Sequence, residues 1–146
     1  MQKINFSTSI HAPKEKVWKT LWEDPNYRNW TSVFAADSHA ETENWREGSR
    51  VLFLDGKGNG MVSLVAANRP NEFMSFKHLG VVKDGKEDVS NEKENEWAGA
   101  TENYTLKGQN GNTELLVEMD ITEEYKEYFL KTWPQALEKI KQLSEK

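Results

Sequence analysis

One feature of the chain narrows its fold more than any other. From Thr122 onward, apolar residues recur at helical spacing, and Phe129, Trp133, Ala136, Leu137, Ile140 and Leu143 fall on a single face. Before it, from about Phe34, the pattern is one of strands and tight turns. A helix with one apolar face needs an apolar surface to cover it, and consecutive hairpins supply one. The expectation is an α+β fold in which a curved antiparallel sheet wraps around a long C-terminal helix. Thr122 is placed to cap that helix, and Glu123 and Glu124 suit its first turn. Pro134 removes one backbone hydrogen bond and should kink the helix near Leu130 to Trp133.

The strand pattern begins at the N-terminus. Ile4, Phe6, Thr8 and Ile10 alternate with polar residues, as in a half-buried strand. Pro13 suits a helix start, and Val17, Trp18, Leu21 and Trp22 form one short helical stripe. Pro25 ends that helix, and a second short helix or a turn is expected around Asn26 to Trp30. Further strands are expected over Val51 to Leu54, Met61 to Ala67 and Phe73 to His78. A last hairpin spans Trp97 to Lys107 and Thr113 to Asp120. Lys83 to Glu96 holds six acids, three lysines and one apolar residue, and reads as a solvated loop or marginal helix, with a lid as the alternative. No internal repeat or linker is evident, so residues 1–146 read as one domain.

Composition excludes whole classes of chemistry. There is no cysteine, which removes disulfides, thiolate metal sites and cysteine nucleophiles. A net charge of −5 argues against nucleic acid as a partner. No run is long enough to span a membrane, and the N-terminus carries no signal-peptide pattern, so the expectation is a cytoplasmic protein. Three histidines without metal-ligand spacing give no metal site, and no cofactor is expected. The glycines of Asp55 to Gly60 superficially suggest a calcium loop. Lys57 and Ala66 stand where oxygen ligands belong, so a hairpin turn is the better reading.

Hydrophobic residues make up only 36% of the chain, yet six are Trp and six are Phe, which suits an aromatic core or pocket. Met74, Phe76 and His78 share one strand face. Tyr104 lies on the inward face of the last hairpin, and Met119 shares a face with Leu115 and Val117. Tyr125, Phe129, Trp133 and Leu137 follow the final helix. If these faces converge, they line a cavity with a few polar groups, as ligand pockets do. The same residues can instead fill a core, and Leu137 suits that role as well. His78 is the best candidate for acid–base work, although no orienting partner is visible in the sequence.

Several motifs carry a resemblance. Ile10-His-Ala-Pro-Lys-Glu-Lys-Val-Trp-Lys-Thr-Leu21 resembles the opening of the START-like (SRPBCC) superfamily, and Asp24-Pro25 with Trp30 is similar to the next block of that superfamily. Trp45 to Gly48, Val51 to Gly56, Gly60 to Val65, Pro70 to Phe73, and Trp133 with Leu137 resemble its later blocks. The best match is the branch of the activator of 90-kDa heat-shock-protein ATPase homologues. The resemblance implies a helix-grip fold, with two short helices after the first strand and a cavity between sheet and final helix.

It implies binding of a small, largely hydrophobic molecule, aromatic or acyl, without assigned catalysis. Two alternatives stand beside it. One is a cyclase-like or hydrolase-like enzyme on a polyketide-like substrate. The other is an interaction module with a chaperone or other protein partner.

Overall fold

The computed structural model describes residues 1–88 and 97–146. Strand β1 (Gln2–Ile10) leads into helices α1 (Lys14–Trp22) and α2 (Asp24–Thr31). Then come β2 (His39–Thr42), β3 (Arg50–Leu54), β4 (Gly60–Arg69), β5 (Phe73–Lys83), β6 (Lys86–Asp88), β7 (Thr101–Gln109) and β8 (Asn112–Ile121). A single 3-10 turn, Glu123–Tyr125, precedes the long helix α3 (Lys126–Glu145). No described helix is long and apolar enough to cross a membrane.

The strands form one antiparallel sheet in the order β1-β8-β7-β5-β4-β3-β2, with β6 beside the second half of β5. The sheet does not close, since β1 and β2 lie at opposite edges. Irregular register between β4 and β5, at Val62/Ser63 and Val65/Ala67, adds local bend and twist. Helix α3 lies across the inner face, against β1, α1 and α2. This is the helix-grip arrangement. Alternation in β1 buries Ile4 and Ile10, and Phe6 stacks on Trp133 of α3 with ring centroids 5.9 Å apart.

Proline sets the two short helices. Pro13 is the N-cap of α1, one position before the helix proper. Pro25 falls in the first turn of α2, so the residue expected to stop one helix also starts the next. Pro134 lies inside α3, which continues across it from Lys126 to Glu145. Burial of Trp133, Ala136, Leu137 and Ile140 on the sheet outweighs the missing backbone bond. Thr122 makes no capping hydrogen bond, and it precedes the 3-10 turn, so that Tyr125 is the N-cap of α3.

The acidic segment behaves differently from the expectation over its first part. β5 continues past His78 to Lys83, turns at Asp84-Gly85 and returns as β6. Both turn residues have positive φ, 50° and 80°, as a two-residue hairpin requires. Arg50 of β3 pairs with Glu87 of β6. The rest of the segment, 89–96, lies outside the described residues, and with it the remainder of the loop, helix or lid expectation.

Candidate functional site

Between the sheet, α2 and the start of α3 lies a cavity of about 450 Å³. Ten of its twenty-four lining residues are Phe, Tyr or Trp. Tyr27 and Trp30 come from α2, Phe34 from the segment after it, Phe53 from β3, and Phe129 and Trp133 from α3. Trp30 is fixed by its indole N–H, which donates to the Leu21 carbonyl at 3.1 Å. Phe34 sits edge-on to Trp133, with centroids 5.1 Å apart. The Tyr128 hydroxyl donates to the Phe34 carbonyl at 2.9 Å and ties α3 to this segment.

The polar end is built by register. Ser63 and His78 are directly paired across β4 and β5. Ser63 Oγ and His78 Nδ1 are hydrogen-bonded at 2.6 Å. The His78 backbone is held on the other side by Ala100 and Gly99, through two bonds of 2.8 Å. Its Nε2 lies 3.6 Å from Glu102 Oε1. When the serine hydroxyl donates to Nδ1, the ring proton sits on Nε2 and faces that carboxylate. Glu102 Oε2 accepts a hydrogen bond from the Tyr104 hydroxyl at 2.5 Å.

Ser63, His78, Glu102 and Tyr104 thus form a connected polar chain, and the last three line the cavity. Burial pushes the Tyr104 phenol well above its ordinary range, and the Glu102 charge and hydrogen bond push it further. Burial does the same to Tyr27, with Glu102 adding to it. Both phenols therefore remain hydroxyl donors across the physiological range. Ser63 is fully buried and does not line the cavity, so it supports His78 from outside it. Among the described residues, no cluster of His, Asp and Glu side chains is arranged to hold a metal ion.

Of the residues proposed from sequence, His78, Tyr104, Met119, Tyr125, Phe129 and Trp133 line this cavity. Tyr125 is at its rim, exposed, with its ring 5.7 Å from that of Trp97. Met74, Phe76 and Leu137 are not among the lining residues. They share the inward faces, but the faces are longer than the cavity. Phe76 is covered by Trp22, Trp45 and Phe53. Met74, opposite Tyr104 in register, is fully buried, and Leu137 sits one helical turn beyond Trp133 in the core.

Sequence reasoning missed Glu102. It lies two residues before Tyr104 on the same strand, so the alternation that turned Tyr104 inward turns Glu102 inward too. Tyr27, Trp30, Phe34 and Phe53 were also missed, because their convergence depends on how α2 and β3 meet across the sheet.

A family model described as Activator of Hsp90 ATPase homolog 1-like protein matches residues 11–145. The structure is similar to protein MLL2253 from Mesorhizobium loti, with a TM-score of 0.75 and 18% identity over 97% of this chain and 96% of that one. It is also similar to the Aha1 dimer from Colwellia psychrerythraea, with a TM-score of 0.73 and 20% identity over 99% of this chain and 97% of that one. DynU16, from the dynemicin biosynthetic locus, aligns with a TM-score of 0.70 and 15% identity over 97% of this chain and 46% of that one. At these identities the likeness is one of fold. Among curated proteins none matches. The family match, which runs from the end of β1 through the last turn of α3, shows that the chain belongs to the Activator of Hsp90 ATPase homolog 1-like family.

Proposed function

We propose that this protein binds a small, largely apolar molecule with an aromatic or acyl portion, in the cytoplasm, without a catalytic step of its own. The observation that carries this reading is the cavity of about 450 Å³, with many aromatic residues on its walls and the linked polar group of His78, Glu102 and Tyr104 among them. That volume falls within the ordinary range of small-molecule sites, as does an apolar lining with few polar groups. Apolar contact with Phe34, Phe129 and Trp133 would supply affinity, and the His78, Glu102 and Tyr104 corner would orient a polar end. The likeness to a protein of a biosynthetic locus is in keeping with a small-molecule role.

A thermal-shift and tryptophan-fluorescence screen of aromatic, polyketide-like and acyl compounds tests it. A saturable shift is expected for one chemical class, worth about 2.7 kcal/mol at 100 times the dissociation constant. The absence of any shift across the library would overturn the reading. An interaction role would then be the one to pursue, starting from exposed Tyr125, Tyr128 and Leu130 around the start of α3 and from a chaperone partner, which the family description suggests.

A second reading has its own support. His78 and Glu102 both line the cavity, within reach of a bound molecule, so acid–base chemistry on a polyketide-like substrate fits the same site. Turnover of a compound that binds, lost in His78→Gln, would favour it.

A further inference from the structure

The charge inside the cavity points to a narrower ligand class, an inference that rests on the binding reading above. Among the described lining residues the carboxylates are Asp55, Glu102 and Asp120, and none is Lys or Arg. Two of the three are already engaged. Asp55 Oδ1 accepts the N–H groups of Lys57 and Asn59, at 2.8 and 3.0 Å. Asp120 accepts the N–H and hydroxyl of Thr101 and faces the Lys3 ammonium at 3.1 Å.

Glu102 is different. Its side chain is only 22% exposed. Among the described residues its partners are a neutral phenol hydroxyl and an imidazole nitrogen at 3.6 Å, longer than a hydrogen bond. Among the described residues, no Lys or Arg pairs with this partly buried carboxylate, as one normally would. Around Tyr104 stand the rings of Trp30 and Trp133, with centroids 6.4 and 6.2 Å from its own. Aromatic faces carry negative potential, so wall and carboxylate favour the same sign of guest.

We infer that the cavity takes an organic cation, with its protonated or quaternary amine against Glu102 among the aromatic rings and its apolar body along Phe34 and Phe129. An anionic guest with its charged end inward is disfavoured by the same corner. Specificity therefore comes from charge, and most of the affinity from the apolar walls.

Four compounds with one hydrocarbon skeleton test this: phenylbutylamine, phenylbutyltrimethylammonium, phenylbutanol and phenylbutyrate. Each is titrated by tryptophan fluorescence at about pH 8, above the usual imidazole range. The two cations should bind about tenfold or more tighter than the alcohol, and the carboxylate weakest of all. Glu102→Gln, which keeps an acceptor for Tyr104, should remove the preference for the cations, so that within this variant they bind no tighter than the alcohol. The order of the four ligands on the unaltered protein decides the question even where that variant does not fold.

Equal binding of alcohol and cations, or tightest binding of the carboxylate, overturns the inference and leaves the ligand-binding reading in place. The same holds if none of the four binds while neutral compounds of the wider library do. If no compound of any charge binds, both fail.

Discussion

Trp133 shows at the scale of one residue why a lining residue is not always a clean probe. It lines the cavity but is 3% exposed and contacts the rings of Phe6, Trp30, Phe34 and Tyr104. Trp133→Ala should cost about 3–5 kcal/mol of stability, as large-to-small core changes do. Phe129 is only half-buried, and Phe129→Ala should cost about 1–2 kcal/mol while weakening ligand binding. Urea titrations of both variants, with and without ligand, check this. Near-equal losses would mean that Phe129 belongs to the core. The site was partly legible because strand alternation assigns a face to each residue. His78, Tyr104 and Met119 could be placed inward on that ground alone. Alternation carries no information about where along the face space remains. Met74 and Phe76 point the same way as His78 and meet Tyr104 and the indole of Trp22, respectively, in place of open space.

At the scale of elements, the β3–β4 hairpin holds the cavity's outer wall. Asp55 closes its turn by accepting two backbone N–H groups, and Gly60 resumes the sheet opposite Leu54. A Cβ added at Gly60 would lie 1.7 Å from the Phe53 carbonyl oxygen, a backbone atom that cannot step aside. Gly60→Ala should therefore cost roughly 1–3 kcal/mol and splay the hairpin. Thermal unfolding measures the loss, and an unchanged melting temperature would contradict the close approach. Most elements were legible from period alone: β1, the first short helix, β3, β4, the last hairpin and α3. β6 was not. Six acids in Lys83 to Glu96 drew that stretch toward solvent, and β6 is indeed exposed on every residue. The signal for it was Asp84-Gly85, a dipeptide that favours the tight hairpin turn. Charge reports exposure, and an exposed edge strand is as charged as a loop.

At the scale of the whole molecule, Lys3, Asp120 and Thr101 lash β1, β8 and β7 together. Burial alone would raise the Asp120 carboxyl, but the Thr101 and Lys3 partners outweigh it and hold it below its ordinary value. The Asp55 and Glu145 carboxyls are also lowered, chiefly by backbone N–H groups of Asn59 and His11. A carboxyl lowered on folding stabilises the native state above its unfolded pKa, and that contribution fades as pH falls through the folded value. Stability should be flat near neutrality and fall below about pH 4. Denaturant titrations between about pH 7 and 3 should show a shallower fall for Asp120→Asn. An identical slope would remove Asp120 from the account. β5 adds a property that belongs to the molecule as a whole. Its first half, Phe73 to Lys77, lies between β4 and β7, whereas Val81 to Lys83 lies between β4 and a three-residue exposed strand. His78 stands where the two regimes meet. The sheet can thus fray at its outer fork while its inner ladder stays paired. On the binding reading, opening of that fork would release a guest without unpairing the ladder, so that residence time and unfolding time need not match.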